Sequence, residues 1–212
     1  SGNTVNINSV ITTTGNNATL SIAPATYNLS VKSGAKILIS GTGASLNIGG
    51  NAYTLLRSTT DISAVTASGY YALAAPVSYS TALTNASAVN LAFGGTFDGL
   101  GNTVSGLTIN VSTAAAGFNG FGFFKSLSSA AVRNFGVTGF TGKLGTTVGV
   151  IAMAPIAGTS AGATIDQVWS TGQISVNSGA TYSTGAGVAL GGIVGNANTG
   201  TTTITKSWSS AG

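Results

Sequence analysis

"TLSIAPATYNLSVKSGAKILISGTGASLNIGG", residues 19–50, repeats one small device in which two apolar residues are separated by one residue and followed by a turn. The first members of the pairs lie 9 (29 − 20), 8 (37 − 29) and 9 (46 − 37) residues apart. Because successive side chains of a strand point to opposite faces, each pair predicts a short strand with one apolar face. Pro, Gly and Ser between the pairs predict turns. The pairs are Leu20/Ile22, Leu29/Val31, Ile37/Ile39 and Leu46/Ile48.

Short strands at this interval fit two architectures, an antiparallel sandwich or barrel and a parallel β-solenoid in which three such strands make one coil. A sandwich would have longer strands and two-residue hairpin turns such as Asn-Gly, which occurs once, at Asn119-Gly120. The sequence therefore favours an all-β solenoid that extends over residues 1–212 as a single segment.

A longer repeat occupies the C-terminal half of the chain. The segments "AAVRNFGVTG" (130–139), "ATIDQVWSTG" (163–172) and "TTITKSWSSAG" (202–212) share a β-branched residue, polar positions and a closing Gly. Val132, Ile165 and Ile204 correspond, at spacings of 33 (165 − 132) and 39 (204 − 165) residues. Repeats of 20 to 50 residues are typical of solenoids, propellers and arrays, and loops inserted on one face would make the spacing unequal.

The composition excludes several classes of function. The chain contains no Cys and no His, so disulfides, zinc thiolate sites and a Ser-His-Asp triad are impossible. Only 5% of the residues are charged, and the seven basic residues behind the net charge of +4 are scattered, which argues against a nucleic-acid site. The mean hydropathy is +0.41, but no apolar run is long enough for a spanning helix, so we expect no membrane insertion.

The longest motifs resemble a known family. The run "YYALAAPVSYSTA…FGGTFDGLGNTVSGLTINV…GFGFFKSLSSAAVRNFGVTG" (70–139) resembles the filamentous-haemagglutinin-like exoproteins of Gram-negative bacteria, many of them exported by two-partner secretion. "LGGIVGNANTGTTTITKSWSSAG" (190–212) is similar to their glycine-rich GLUG repeat, and "ASLNIGGNAYTLLRS" (44–58) to a segment that precedes these motifs. The resemblance covers about residues 35–212; Asn102 stands where the family has His, and the family's secretion domain is not visible.

The resemblance implies a right-handed parallel β-helix and a non-catalytic role in adhesion, cell-surface structure or biofilm matrix. It divides the chain into short-strand coils (1–60), the Y-x-L and FDGxGNT region (61–140) and GLUG-like repeats (141–212). It also implies a secreted or cell-surface location, an outer-membrane export partner, and surface glycans, proteins or copies of the chain itself as partners. Because the chain begins and ends in repeat-like sequence, we expect it to be part of a longer protein.

Two other functions remain open from the sequence. The chain is alternatively a self-assembling subunit of an extracellular filament, in which coils stack end to end. Less favoured is a polysaccharide-active β-helix enzyme, because glycoside hydrolysis generally needs two carboxylates and the chain has only Asp61, Asp98 and Asp166.

Asp98 lies among glycines in "GGTFDGLG" and is interpreted as the corner of a turn. An Asp at such a place can accept hydrogen bonds from backbone N–H groups two residues on, and Gly99 and Gly101 can take positive φ without strain. The sequence predicts neither a metal site nor a cofactor, since calcium bound by a glycine-aspartate repeat would need several Asp residues.

Aromatic residues and sequons supply the remaining candidate sites. Trp169 and Trp208 occupy the same place in successive repeats and are predicted to form an exposed aromatic ladder, whereas the Phe residues of 118–124 are predicted to stack inside the coil. Four sequons of the form N-x-Ser/Thr are candidates for glycosylation: Asn17, Asn28, Asn85 and Asn110.

Overall fold

The structure, a computed structural model, describes residues 4–113, 118–148, 150–176, 181–182 and 187–212. Over these residues the protein is all-β, with one short helix and one 3₁₀ turn at Val31–Ser33. The first strands are β1 (Asn6–Ile7), β2 (Val10–Thr13), β3 (Thr19–Ile22), β4 (Asn28–Leu29), β5 (Lys36–Ile39), β6 (Ser45–Ile48) and β7 (Asn51–Leu56). The helix, α1 (Thr59–Ser63), follows β7.

The strands of the middle region are β8 (Tyr70–Leu73), β9 (Val77–Ser78), β10 (Leu83–Thr84), β11 (Val89–Phe93), β12 (Thr96–Asp98), β13 (Thr103–Ser105), β14 (Thr108–Thr113), β15 (Phe118–Phe121) and β16 (Phe124–Ser128). The last strands are β17 (Ala131–Val148), β18 (Val150–Met153), β19 (Ala157–Ala161), β20 (Thr164–Val176), β21 (Thr181–Tyr182), β22 (Val188–Leu190), β23 (Val194–Thr199), β24 (Thr203–Thr205) and β25 (Trp208–Ala211).

Parallel pairing between successive repeats organises the sheets. Tyr70 of β8 pairs with Thr96 of β12, 26 residues (96 − 70) later. The separation grows to 33 (136 − 103) between β13 and β17, and to 39 (208 − 169) between β20 and β25. We call each successive set of strands a rung; neighbouring rungs are hydrogen-bonded through their paired strands.

The repeat register predicted for the C-terminal half is confirmed. Val132 pairs with Ile165, and Ile165 pairs with Ile204. Val132 and Ile165 are buried, whereas Ile204, on the last rung, is 45% exposed. The shared β-branched residue of the three segments is therefore the core residue of one strand position.

The series of parallel pairs is interrupted once among the described residues. β6 and β7 are antiparallel and are joined by Gly49 and Gly50, both with positive φ (59° and 83°), which is the geometry of a two-residue hairpin turn. The sequence did not predict this change of strand direction. Strands β1–β6 form what we call the N-terminal stack, and β7–β25 form the main stack.

Most of the apolar pairs predicted over residues 19–50 lie in strands of the N-terminal stack. Ile37, Ile39, Leu46 and Ile48 are fully buried in β5 and β6, as period-two alternation requires. The pair Leu29/Val31 differs, because β4 ends at Leu29 and the chain enters the 3₁₀ turn at Val31.

Each stack has its own apolar core. The main core is centred on phenylalanines whose rings pack in edge-to-face, tilted or stacked pairs. Their centroids, including that of Tyr71 in its contact with Phe93, lie 4.7–6.0 Å apart. The smaller core belongs to the N-terminal stack but also contains Tyr53, Ala72, Ala74 and Leu100 of the main stack. The two stacks thus lie side by side and share an apolar contact.

Helix α1 packs against β11 of the main stack. Its N-cap residue Ser58 accepts a hydrogen bond from the backbone N–H of Asp61 at 3.1 Å, and the Asp61 carboxylate accepts one from the backbone N–H of Arg57 at 2.8 Å. This reciprocal cap fixes the start of the helix and places Ile62, which is fully buried, in the main core. No helix of the described residues is long and apolar enough to span a membrane.

Candidate functional site

Asp98 lies at the contact between the two stacks and is completely buried. Its carboxylate accepts hydrogen bonds from Arg133 Nε at 2.7 Å, Tyr27 Oη at 3.0 Å, Asn134 Nδ2 at 3.1 Å and the backbone N–H of Leu100 at 2.9 Å. A carboxylate has about four lone-pair sites, so these donors occupy its acceptor capacity. In this structure Asp98 cannot contact a polysaccharide.

The turn around Asp98 differs in detail from the prediction. The bond from the backbone N–H of Leu100 is the local turn bond expected of an Asp at this place. Positive φ is found at Leu100 (53°) and Gly101 (79°), not at Gly99. Gly99 is needed for a different reason, since a Cβ there would lie 2.3 Å from the carbonyl oxygen of Asn134 on the next rung.

The buried charges shift the pKa of their neighbours. Burial, and then the negative charge of Asp98, raise the pKa of Tyr27 well above its ordinary value. Burial by itself would lower the pKa of Arg133, but the charge of Asp98 and its hydrogen bond outweigh burial and raise that pKa. Arg133 also lies over the ring of Tyr27, 5.3 Å from its centroid. The cluster is therefore an ion pair with a neutral tyrosine, held between the two stacks.

The two other carboxylates lie in separate local structures. Asp61 caps α1, and its hydrogen bond from the Arg57 backbone is the main reason that its pKa is lowered. Asp166 accepts a hydrogen bond from Thr205 Oγ1 at 2.7 Å and lies 3.7 Å from Lys206 Nζ. Neither forms a hydrogen bond with Asp98 in the described part of the chain, so no coupled carboxylate pair is seen there.

Trp169 and Trp208 form a column on the outside of the main stack. They are register partners in β20 and β25, their ring centroids are 5.4 Å apart and their planes differ by only 9°. The rung before them has Gly136 at this position, where a Cβ would lie 2.2 Å from Cε2 of Trp169. The indoles are half-buried rather than fully exposed, because they stack on each other, Gly136 lies against Trp169, and Lys32 Nζ lies over the Trp208 ring.

A second column, which sequence reasoning missed, runs beside the tryptophans. Asn134, Gln167 and Lys206 each interrupt their rung with a single left-handed residue, with φ of 53°, 53° and 49°. Gln167 Nε2 donates to Asn134 Oδ1 at 3.2 Å. The signal was present as a polar residue two positions before each corresponding Gly or Trp, but a polar residue in a strand pattern does not by itself indicate a bend.

These two columns and the N-terminal stack enclose a groove that we call the seam groove. It has a volume of about 470 Å³ and is lined by residues 28–33 on one side and by Gln167, Lys206 and Trp208 on the other. Lys32 Nζ lies over the Trp208 ring, 5.2 Å from its centroid. The groove therefore combines an aromatic face with two ammonium groups and several hydroxyl and amide groups.

The predicted sequons differ in how accessible they are. Asn17 is exposed in a turn with φ of 57°, and Asn28 is exposed at the rim of the seam groove. Asn85 is exposed, but its amide exchanges two hydrogen bonds with Ser112, at 3.1 and 2.9 Å. Asn110 is half-buried, and its Oδ1 is buried without a hydrogen-bond partner among the described residues.

The phenylalanines of residues 118–124 that the structure describes fully, Phe121, Phe123 and Phe124, are buried in the main core, while the side chain of Phe118 lies outside the described residues. Across the described residues no group of three or more acidic, His or Cys side chains could hold a metal ion.

Comparison with protein-family models, with curated proteins and with solved structures gives no match to the chain.

Proposed function

We propose that the protein is a right-handed parallel β-helix with a short second stack of coils against its side. The proposal is supported by strands that recur in the same order on each rung, by their parallel pairing, and by side chains such as Val132 and Ile165 that align inside the rungs. In such a fold each rung is stabilised mainly by its neighbours, so stability is approximately a sum over rungs and their interfaces.

We propose further that it is a non-catalytic adhesive or structural protein of the bacterial cell surface, within the filamentous-haemagglutinin-like exoproteins that its motifs resemble. Export through an outer-membrane partner and a secreted or surface location belong to this proposal. The observation that carries it is the tryptophan column beside a polar groove on the outer surface of the main stack, because aromatic faces with convergent polar groups are suited to ligand recognition.

The adhesive function is tested with the purified protein coupled to beads. We expect the beads to adhere to bacterial or host surfaces that carry glycans, and adhesion to fall when Trp208 is changed to Ala. A bead carrying Trp208→Ala that adheres as well as the unchanged protein would place adhesion elsewhere on the surface. A polysaccharide-active enzyme would instead release reducing ends or unsaturated products over time.

A filament subunit is the second candidate. On the last described rung Leu190 and Ile204 are each 45% exposed, although the residues with which they pair, Met153 and Ile165, are fully buried. Either an end-to-end contact between copies or a further rung of the same polypeptide would cover these side chains. Electron microscopy of the concentrated protein would then show fibres that Ile204→Glu abolishes, and the native polypeptide would have a mass near 20.6 kDa. A much larger native mass would support the long adhesin.

A further inference from the structure

The seam groove has a consistent chemical character. Two ammonium groups, those of Lys32 and Lys206, line it, and none of the lining residues is acidic. Asp166 lies beside Lys206 at 3.7 Å and offsets part of its charge. Lys32 is exposed, and in the described part of the chain its ammonium group has a contact with the Trp208 ring but no hydrogen bond or ion pair. The groove is therefore positively charged around one available cation.

The outer face of Trp208 forms the apolar side of the same groove. The inner face of that ring is covered by Trp169, which itself rests on the backbone at Gly136. One flat apolar surface is thus supported by the rungs beneath it, and the ammonium group of Lys32 lies over it, 5.2 Å from the ring centroid. A pyranose ring has the matching shape, with an apolar face of C–H groups and polar groups around its edge.

We propose that the seam groove binds an acidic pyranose, that is, a sugar residue of a polysaccharide whose ring carries a carboxylate. The C–H face of the sugar packs on Trp208, and the carboxylate accepts a charge-assisted hydrogen bond from Lys32 Nζ. In taking this bond, the ammonium group moves from the indole face to the edge of the sugar. This inference rests on the proposed adhesive function and names the ligand class of that function.

The polar groups along the walls suit the hydroxyls of such a sugar. Asn28 lies on the N-terminal stack, and Gln167 faces it from the main stack. The Nε2 of Gln167 already donates to Asn134, so its Oε1 is the atom left to accept from a sugar hydroxyl. A ligand at this place contacts both stacks, and binding would therefore depend on the contact between them.

The test uses the fluorescence of the intact chain, because its only two tryptophans both lie in this column. Trigalacturonic acid is titrated into the protein at low salt, and galactotriose, its neutral counterpart, is titrated in parallel. We expect a saturable change in fluorescence with the acidic sugar, at least tenfold weaker binding of the neutral one, and weaker binding of the acid as salt is raised. Equal affinity for the two sugars would overturn the assignment to an acidic ligand.

Two variants test the residues. Lys32→Gln should weaken the binding of trigalacturonic acid about tenfold, whereas Lys143→Gln, which removes the same charge from an exposed position on β17, should leave it unchanged. Lys32 is exposed, so its replacement does not threaten folding. An equal loss in both variants would mean that only the net charge matters and would contradict the site.

The outcomes for the groove and for adhesion can be separated. If trigalacturonic acid leaves the fluorescence unchanged while the beads still adhere, the groove inference is wrong and the adhesive function stands. If the acid binds with the expected dependence on Lys32 but the beads do not adhere, the groove is a ligand site and the adhesive function is wrong.

Discussion

Asp98 and Arg133 are register partners on consecutive rungs and form a buried ion pair of 2.7 Å. The side chain of Asp98 has no solvent exposure and that of Arg133 has 16%. Tyr27 and the carbonyl oxygen of Ala25 bring the N-terminal stack to the same pair. One charged contact therefore ties two rungs of the main stack to each other and to the N-terminal stack.

Removing the charge of Asp98 should destabilise the protein strongly. In Asp98→Asn, Arg133 is left as a largely buried charge without a counter-ion. One carboxylate oxygen is also replaced by the NH₂ group of the new amide, which cannot accept the hydrogen bonds that the oxygen accepted. Breaking one side of a buried pair costs about 3–5 kcal/mol of unfolding free energy, which urea denaturation followed by circular dichroism would measure. The matched control is Asp166→Asn, which breaks the exposed pair with Lys206 and should cost less than about 1 kcal/mol. Similar losses in the two variants would contradict this role.

Stability should fall at alkaline pH. Burial raises the pKa of Tyr79 to about 12 and raises the pKa of Tyr27 well above its ordinary value. Below about pH 10 both residues are neutral in the folded and unfolded chains. Above that pH the unfolded chain loses these protons first, so the free energy of unfolding decreases as pH rises toward the folded pKa values. Denaturation curves between pH 8 and pH 12 would show this decrease, and Tyr79→Phe should make it smaller. An identical slope in Tyr79→Phe would exclude Tyr79 as a source.

Gly99 should not tolerate a side chain. In Gly99→Ala the new Cβ would meet the carbonyl oxygen of Asn134 and the Cα of Phe135 at 2.3 and 2.7 Å, so the rungs must separate locally. We expect a loss of about 3 kcal/mol or more in unfolding free energy, at the upper end of the usual cost of overpacking. Gly187→Ala is the control, since none of the described residues lies within 4 Å of a Cβ there, and its thermal midpoint should equal that of the unchanged protein. A normal midpoint for Gly99→Ala would show that the rungs are more loosely packed than described.

The four sequons should not be used equally. In a host that glycosylates N-x-Ser/Thr, we expect Asn17 to be modified most fully, because it is exposed in a turn. Asn110 should stay unmodified, because its amide oxygen is buried. Asn85 should be intermediate, since its modification breaks the contact with Ser112. Peptide mass mapping would measure the occupancy of each site, and a fully modified Asn110 would contradict this order of accessibility.

The repeats could be predicted from the sequence because they depend on local alternation and period. Ile165 and Ile204 occupy equivalent places in two similar segments, and parallel pairing places such residues opposite one another. The hairpin at Gly49-Gly50 also left a signal, since two adjacent glycines between strands are typical of a type I′ turn. Interpreted only as a turn between strands, these glycines do not predict that β7 runs antiparallel to β6.

The contact between the stacks could not be predicted in this way. Tyr27 and Asp98 are 71 residues apart, and nothing near either residue marks the other as a partner. Asn102 shows the same limit, because its Nδ2 donates at 2.8 Å to the carbonyls of both Ile37 and Leu73. These bonds follow from how two stacks lie against each other, which depends on many small apolar contacts and on no single motif.

Strand β15 shows where the cross-section of the rungs changes along the main stack. It pairs with β18, and β18 with β22, whereas the first rung of the main stack has no described strand at that corner. The separation between paired residues therefore grows from 26 (109 − 83) before this corner to 35 (124 − 89) after it, while β9, β13 and β17 remain paired in parallel along another side. An insertion at this corner broadens the cross-section and leaves that parallel pairing in place. The surface at this corner can therefore change in sequence and length without changing the register of the strands that pair elsewhere.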